Sequence, residues 1–453
     1  MSNPMEETIV AISTPPGEGG IGVIRLSGSQ AISIAQHIFR SKVPLGRRIR
    51  HIEYGTVYAK DREIDTGLAS VFIAPHSYTG EDTVEISCHG SRLVLEMVVN
   101  EAIKRGARSA APGEFTRRAF LNGKLDLVQA EAVVDLIQAS SEQSLEDAYS
   151  LAGGRLSKEV QQLKNSLLKV LALIEVGLDF SEEDIDPVSR QQVQAILAKV
   201  LYRAEELLET FALSRRRLDG FLIALVGKPN AGKSTLLNSL LGEDRAIVTD
   251  VPGTTRDLVE GISIWGGQKV RLVDTAGLRD SNDPIESEGI KRARKITTEA
   301  DVVLFIIDST EKDLTEERQM YDALDTDKGI VVFNKVDQCA KVKKVPFSNG
   351  EVSVEISALT GAGCSELIDL ARSFFPKNGP QEGLLLTRQR HFECLKSMAT
   401  NVKTAKQLIK SGEPDECVAQ ELHEAHKSLG TMLGEDIREE LLDSIFADFC
   451  IGK

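Results

Sequence analysis

The stretch GKPNAGKS at residues 227–234 decides how the middle of this chain folds. The buried-strand pattern FLIALV precedes it, and the helical pattern TLLNSLL follows it. Gly227 and Gly232 allow the backbone to curl until successive N–H groups point at phosphate oxygens, at the positive end of the helix dipole. Lys233 then reaches the β- and γ-phosphates, and the Ser234 hydroxyl ligates Mg²⁺. The stretch therefore predicts a strand, a phosphate-binding loop and a helix.

Three further motifs follow in order, at or just beyond the ends of strand-like runs. They are DTAG at 274–277, NKVD at 334–337 and SALTG at 357–361. Asp274 is placed to hold Mg²⁺ through water, and the Gly277 N–H to sense the γ-phosphate. The Asp337 carboxylate accepts two hydrogen bonds from guanine, and each contributes about 1.5–3 kcal/mol. Adenine has neither donor, so the series predicts a guanine-nucleotide domain with the Ala358 backbone near the guanine oxygen.

The predicted GTP-binding residues fall in five segments. They are Gly227, Asn230, Ala231, Gly232, Lys233, Ser234 and Thr235; Thr249, Asp250, Val251, Pro252, Gly253, Thr254 and Thr255; Asp274, Thr275, Ala276 and Gly277; Asn334, Lys335, Val336 and Asp337; and Ser357, Ala358 and Leu359. The second segment lies in IVTDVPGTTRD, the first switch, where Thr255 joins Ser234 as an Mg²⁺ ligand.

The hydrolytic machinery departs from the common pattern, because Leu278 stands where many small GTPases place a water-orienting glutamine. Asn230, with oxygens of Thr249, Val251 and Thr254, can hold a monovalent cation where an arginine finger would otherwise place positive charge. The alternative for Asn230 is a simple turn residue. Among the acids of the second switch, Glu286 is the candidate that orients water, and Lys233 is the second catalytic candidate.

The predicted secondary-structure pattern changes three times along the 453 residues of the chain. Short strand patterns and glycine-rich turns predict an N-terminal α+β domain over residues 1–120, and amphipathic helical patterns follow over 121–218. Strands then alternate with helices over 219–378, and helical patterns return over 379–453. We therefore predict a multidomain α+β and α/β protein, in which a Ras-like P-loop GTPase domain interrupts a helical bundle.

Composition narrows the class of protein. The formal charge of −14 argues against a large non-specific nucleic-acid surface. The six cysteines form no CxxC pair, so a reduced, cytoplasmic protein is expected. No signal-peptide pattern and no apolar run of membrane-spanning length occurs, so we expect no membrane association.

Several blocks outside the guanine motifs carry a family resemblance. TPPGEGGIGVIRLSG, SYTGEDTVEISCHG, PGEFTRRAFLNGKLDLVQAEAV and the terminal FCIGK, together with the guanine motifs, closely resemble the tRNA-modifying GTPases called MnmE or TrmE. The resemblance covers the whole chain. It implies an enzyme that, with the flavoprotein MnmG, adds an aminomethyl or carboxymethylaminomethyl group to C5 of the wobble uridine of certain tRNAs.

The resemblance also implies cofactors, an assembly and site residues. The one-carbon unit comes from a reduced folate such as 5-formyltetrahydrofolate, the N-terminal domain builds a homodimer, and K⁺ activates GTP hydrolysis. The K⁺ ligands map to Asn230, Thr249, Val251 and Thr254, the Mg²⁺ ligands to Ser234 and Thr255, and the water-orienting glutamate to Glu286. The folate site maps to Arg25, Glu85, Lys124 and Lys453, with Glu81 as a competitor for the place of Glu85.

The ending SIFADFCIGK has three interpretations. A prenylation signal is disfavoured, because CIGK has Gly where an aliphatic residue belongs and Lys at its end. A packed helix end explains Ile445, Phe446 and Phe449. The resemblance brings the ending to the folate pocket, where Lys453 pairs with folate carboxylates and Cys450 is either a nucleophile or a small buried residue.

Two function classes remain from the sequence. The first is a GTPase whose hydrolysis gates a folate-dependent modification of tRNA. The second is a switch or assembly factor that binds RNA or ribosomal surfaces and does no chemistry of its own. The guanine motifs fit both, whereas the N-terminal blocks and the Cys–Lys ending favour the first.

Overall fold

The computed structural model describes residues 7–47, 51–179, 190–242, 259–275, 296–324, 327–339, 352–375, 386–447 and 449–453. Of the predicted site residues, Thr249, Asp250, Val251, Pro252, Gly253, Thr254, Thr255, Ala276, Gly277 and Glu286 lie outside these residues. The described part divides into two compact units, within residues 1–137, 151–200 and 397–453 and within residues 138–150 and 201–396. The predicted boundaries at 120, 218 and 378 stay predictions.

The first unit begins with a seven-stranded sheet. Its strands are β1 (Ile9–Ile12), β2 (Gly19–Ser27), β3 (Phe39–Ser41), β4 (Ile52–Ala59), β5 (Arg62–Phe72), β6 (Thr83–Gly90) and β7 (Arg108–Ser109), in the order β3-β4-β5-β6-β2-β1-β7. Helices α1 (Ala31–Ile38) and α2 (Arg92–Lys104) contribute to a core with one face of the sheet. The alternation of buried and exposed residues along β4 follows from this one-sided burial.

Helices make up most of the remaining described elements outside the second sheet. They are α3 (Glu114–Leu121), α4 (Leu127–Gln138), α5 (Glu142–Ala152), α6 (Arg155–Asp179), α7 (Arg190–Asp219), α11 (Gln389–Ser411), α12 (Asp415–Leu433) and α13 (Glu439–Ala447). α6 ends at Asp179, and α7 begins at Arg190. Phe446 and Phe449 are buried with α4 residues in one apolar cluster, and Ile445 packs against it, so the packed-helix-end interpretation explains why these three residues are apolar.

The second unit contains a six-stranded sheet. Its strands are β8 (Phe221–Gly227), β9 (Val259–Trp265), β10 (Gln268–Asp274), β11 (Val302–Asp308), β12 (Gly329–Asn334) and β13 (Val352–Glu355), in the order β13-β12-β11-β8-β10-β9. All neighbours are parallel except β9 and β10. Helices α8 (Lys233–Leu241), α9 (Thr315–Asp322) and α10 (Cys364–Ser373) belong to it. The central strands are apolar on both faces, as burial on both sides of a parallel sheet requires.

The start and end of this α/β region meet in space. The rings of Phe221, the first residue of β8, and Phe375, two residues after α10, stack with centroids 4.2 Å apart. Such closeness of the two ends is what insertion of one folded unit into another chain segment demands. The strand ends that carry the guanine motifs also meet, because β8, β10, β12 and β13 run parallel and finish at the same edge of the sheet.

Candidate functional site

The phosphate loop lies between β8 and α8, and two of its glycines are required by close contacts. A Cβ on Gly227 would lie 2.3 Å from the carbonyl oxygen of Ile306, and one on Gly232 would lie 2.2 Å from Nδ2 of Asn334. Gly232 also has a φ of +93°, in the region that side chains disfavour. Any side chain at either position would push the loop away from the strands beneath it.

Asn334, at the end of β12, joins two of the predicted motifs. Its Nδ2 donates to the carbonyl of Ala231 in the phosphate loop at 2.9 Å, and its Oδ1 accepts from the N–H of Ala358 at 2.9 Å. The side chain is buried with both ends satisfied. One amide therefore fixes the distance between the phosphate loop and the backbone predicted to face the guanine oxygen.

Lys335 supports the loop from the next position. Its Nζ donates to the carbonyl of Asn230 at 2.8 Å and pairs with Asp308 at 2.5 Å. Burial raises the pKa of Asp308, but hydrogen bonds from Lys335 and Thr310 outweigh it and hold the pKa below its usual range. Asp308 is not among the predicted residues, although an acid at the end of a buried strand is a usable signal in the sequence.

Lys233, the predicted catalytic lysine, and Ser234, a predicted Mg²⁺ ligand, lie at the start of α8. Lys233 Nζ donates to the carbonyls of Gly227 at 3.0 Å and Lys228 at 2.7 Å. Ser234 Oγ donates to Asp274 Oδ2 at 2.9 Å, across the gap between α8 and the end of β10. A hydroxyl and a carboxylate that meet in this way form an oxygen donor set suited to Mg²⁺.

The remaining described guanine-motif residues lie around this edge of the sheet. Thr275 Oγ1 donates to the carbonyl of Leu225 at 2.8 Å, which anchors the start of DTAG to β8. Ser357 is buried, and its Oγ accepts from the N–H of Thr360 at 3.2 Å. Asp337 is exposed in a short 3₁₀ turn, where its carboxylate can meet a base.

A second cluster of predicted residues lies in the N-terminal unit. Arg25 and Glu85 are opposite each other on β2 and β6, and their side chains pair at 2.8 Å. The guanidinium of Arg25 lies 5.5 Å from the ring centre of Tyr78 and 5.6 Å from that of Phe115. Phe115 is fully buried, whereas Tyr78 is 36% exposed, so the Tyr78 ring, the Arg25 cation and the partly exposed Glu85 carboxylate form a surface that suits a flat, polar heterocycle.

Glu81, the competitor for the place of Glu85, is held by structural partners. Its carboxylate accepts from Arg118 Nη1 at 3.1 Å and from Ser27 Oγ at 2.7 Å. Arg118 is 2% exposed and also pairs with Glu114 at 2.9 Å. Arg118 is not among the predicted residues, since nothing in FTRRAF distinguishes a buried arginine from an exposed one.

The last five residues, 449–453, form what we call the C-terminal tail, and backbone contacts dock it. The N–H groups of Gly113 and Phe115 donate to the main-chain oxygens of Cys450 and Lys453 at 3.4 and 3.2 Å. Ser13 Oγ donates to the carbonyl of Gly452 at 3.1 Å. The tail thus reaches the residue whose ring faces Arg25, while Lys124 Nζ is bonded to the carbonyl of Pro75 at 3.0 Å.

Cys450 itself is exposed. The interpretation of this residue as a small buried side chain is therefore wrong, because the tail turns its backbone, rather than the thiol, toward Gly113. Its exposure leaves the nucleophile interpretation as a prediction.

Sequence comparison places the chain in a family. A family model described as GTP-binding protein TrmE N-terminus matches residues 8–124, and one described as MnmE helical domain matches residues 127–450. The tRNA modification GTPase MnmE of Aquifex aeolicus is 41% identical over 451 residues, with 99% of this chain and 100% of that protein covered. The chain belongs to the MnmE family of tRNA modification GTPases.

Other comparisons agree with this membership of the MnmE family. MnmE of Moorella thermoacetica is 41% identical over 465 residues, with 99% of this chain and 100% of that protein covered. A solved structure of Aquifex aeolicus Era bound to GDP.AlF4- is 31% identical and covers 40% of this chain and 66% of that one, at a TM-score of 0.29. That score is too low to add to the fold described above. The predicted family and fold class are both confirmed, and among the described helices none has the length and apolarity to cross a membrane.

Proposed function

We propose that this protein binds and hydrolyses GTP and couples the hydrolysis to modification of tRNA. One observation carries the proposal: Asn334 ties the phosphate loop to the SALTG backbone, while Ser234 meets Asp274 at 2.9 Å. These contacts bring the phosphate-binding, metal-binding and base-facing motifs to one edge of a parallel sheet. Membership of a family named for tRNA modification GTPases supports the coupling to tRNA.

The hydrolytic step is assigned to residues around the phosphate loop. Mg²⁺, when bound, neutralises charge on the phosphates. Ser234 and Asp274, together with Thr255, would hold it. Lys233 exchanges its present carbonyl partners for phosphate oxygens, a small movement because both carbonyls belong to the loop itself. Glu286 orients the attacking water.

The position of Asn230 supports the proposed activation by potassium. Its φ is +65° and its carbonyl is held by Lys335, so the exposed side chain is presented at the mouth of the loop. There its oxygen would join those of Thr249, Val251 and Thr254 around K⁺. Hydrolysis is expected to run much faster in K⁺ than in Na⁺, and Asn230→Ala is expected to remove the difference. Equal rates of the wild-type protein in both salts would contradict the cation site.

The one-carbon chemistry is assigned to the N-terminal unit. We place a reduced folate such as 5-formyltetrahydrofolate against Arg25 and Glu85, with Lys124 and Lys453 facing its carboxylates and Cys450 near the reacting carbon. The partly exposed aromatic ring of Tyr78 beside Arg25 supports this location. Calorimetry with the reduced folate is expected to give weaker binding for Lys453→Ala; unchanged affinity would remove the tail from the site.

The homodimer is assigned to the outer face of the N-terminal sheet. Register places Tyr54 opposite Leu68, on the same face as the Arg25–Glu85 pair. Tyr54 is 68% exposed and Leu68 44%, and Ile52 and Phe72 extend the patch. A contiguous apolar patch of this kind favours association. Tyr54→Lys is expected to give monomers in sedimentation, whereas Leu93→Lys, equally exposed on α2, leaves the dimer; a dimeric Tyr54→Lys protein would contradict this interface.

The remaining parts of the proposal concern the division of the chain and its partners. We assign residues 1–120 to dimerisation and folate, 121–218 and 379–453 to the helical domain, and 219–378 to the GTPase domain. MnmG is the flavoprotein partner, and the compartment is the cytoplasm, in keeping with six unpaired cysteines. Mass analysis of wobble uridines decides the function: cells lacking the gene should lose the modification, and unaltered uridines would favour the switch-factor alternative.

A further inference from the structure

The phosphate loop is anchored at Lys228 to a helix that belongs to none of the guanine motifs. Lys228 Nζ lies 2.6 Å from Glu316 Oε2 and 2.8 Å from Glu317 Oε1, both in the first turn of α9. The two carboxylates differ in exposure: the side chain of Glu316 is 77% exposed and that of Glu317 is 4% exposed. Hydrogen bonds to Glu316 and then to Glu317 raise the pKa of Lys228.

The buried carboxylate of Glu317 makes the stronger of the two ion pairs with Lys228. Its Oε2 is buried and has no hydrogen-bond partner among the described residues. The ammonium of Lys228 at Oε1 therefore offsets much of the negative charge of this carboxylate. Breaking a buried pair by removal of one partner is costly because the other charge is left uncompensated, whereas an exposed pair contributes little. The contact with Glu317 is therefore the stronger constraint on where Lys228 lies.

The backbone of Lys228 transmits this constraint to the site. Its carbonyl accepts from Lys233 Nζ at 2.7 Å, the shorter of the two carbonyl contacts that hold this ammonium. On the other side of the loop, Lys335 holds the carbonyl of Asn230 at 2.8 Å. The segment that presents Asn230 and Lys233 is thus fixed at both ends, from α9 at one and from NKVD at the other.

We propose that the ion pair between Lys228 and Glu317 is a positioning device for GTP hydrolysis, which holds the phosphate loop so that Asn230 and Lys233 face the phosphates correctly. This inference rests on the proposed GTPase function. Lys228 acts through the loop and touches neither nucleotide nor water in this assignment. The pair should affect the rate of the chemical step more than the choice of base, because Asp337 lies on another segment.

The test compares five full-length proteins: wild type, Lys228→Ala, Lys228→Arg, Glu316→Ala and Glu317→Gln. The measurements are kcat at saturating GTP, the K⁺ concentration for half activation, affinity for GDP and the melting temperature. Lys228→Ala is expected to lower kcat on the order of tenfold to a hundredfold, as a misplacement of about 1 Å does, with a raised K⁺ requirement. Lys228→Arg keeps a cation within reach of Glu317 and is expected to restore kcat to within about twofold. Glu316→Ala removes only the exposed contact and should match wild type.

The outcomes separate the two levels of the proposal. A merely structural role would lower the melting temperature of Lys228→Ala and leave kcat and the K⁺ requirement unchanged, which would overturn the positioning role. Failure of Lys228→Arg to restore kcat would overturn it as well. If wild-type protein hydrolyses no GTP, the proposed function itself fails and the positioning role with it; if it hydrolyses GTP and Lys228→Ala equals it, only the positioning role fails. Glu317→Gln is expected to reproduce the kcat loss of Lys228→Ala, and a folded Glu317→Gln protein with wild-type kcat would overturn the positioning role.

Discussion

Replacement of Gly452 by alanine tests whether the C-terminal tail must lie against β1. Gly452 has a φ of +94°, and a Cβ there would lie 2.3 Å from the carbonyl oxygen of Ile12 and 3.0 Å from the Cα of Ser13. Both atoms belong to backbone that pairs with β2. Backbone in a sheet cannot move aside as a flexible side chain does, so the alanine should displace the tail.

The expected magnitude follows from the contacts that displacement removes. Among the described residues, three hydrogen bonds dock the tail, from Ser13 Oγ to Gly452 and from the N–H groups of Gly113 and Phe115 to Cys450 and Lys453. At about 0.5–1.5 kcal/mol each, they contribute roughly 1.5–4.5 kcal/mol to docking. Loss of that amount lowers the ratio of docked to undocked tail by at least about tenfold.

Hydrogen exchange in the full-length protein measures this ratio directly. The amides of Gly113 and Phe115 are protected by tail carbonyls, so Gly452→Ala should accelerate their exchange by about tenfold or more. Gly123→Ala is the matched control, because Gly123 has a φ of +67° and a Cβ there meets nothing within 4 Å. It imposes a similar backbone cost of about 1 kcal/mol without a clash.

The reasoning is refuted if Gly452→Ala leaves the exchange of both amides at the wild-type rate, since the clash would then have been absorbed elsewhere. A tail that leaves its place also takes Lys453 with it. Under the proposed function, the variant should therefore lose wobble-uridine modification while its GTP hydrolysis stays intact, as the second unit carries the nucleotide site.

Three further predictions concern single carboxylates. Asp337→Asn should change the nucleotide preference from GTP to xanthosine triphosphate, because the amide of asparagine can donate a hydrogen bond to the 2-oxo group of xanthine. Competition with a fluorescent nucleotide measures this preference. A retained preference for GTP would contradict the base contact. Glu81→Gln should lower the free energy of unfolding of the N-terminal unit by about 1.5–3 kcal/mol, because it weakens the hydrogen bonds to Arg118; urea titration measures this loss. Glu85→Gln should instead change the affinity for a reduced folate, which calorimetry measures. Burial raises the pKa of Glu114, but hydrogen bonds from Arg108 and from other groups lower it overall. The Glu114 carboxylate therefore contributes its full stabilisation above pH 4.5, the ordinary pKa. This stabilisation is lost as the pH falls through the lower pKa of the folded state. Glu114→Gln should flatten that acid limb, and an unchanged limb would contradict it.

The nucleotide site could be predicted from the sequence because its motifs are local. Each is a few residues at or just after a buried strand, and parallel strands bring such ends to one edge without further information. Ser234 and Asp274, 40 positions apart, meet for this reason. The strands of the N-terminal domain can also be predicted from the sequence, since burial of one face of a sheet leaves apolar and polar residues alternating along each strand.

The supporting contacts could not be predicted, because they depend on how separate elements pack. Lys228 stands in a motif, but nothing in TEER indicates that Glu317 is buried beneath it while Glu316 is exposed. Ser13 and Gly452 are 439 positions apart, and the need for glycine at 452 arises only when β1 lies against it. Patterns within one element carry no information on such pairs.

Asn334 explains why guanine recognition and hydrolysis occur on one scaffold in this protein. The same amide donates to Ala231 in the phosphate loop and accepts from Ala358 on the base-facing side. The residue after it, Lys335, holds the carbonyl of the proposed K⁺ ligand Asn230. Contacts to the base and the placement of the loop therefore depend on two adjacent side chains at the end of β12. A change at Asn334 should consequently damage base affinity and the rate of hydrolysis together, whereas loss of Lys228, at the other end of the loop, is expected to affect the rate and the K⁺ requirement more than base affinity.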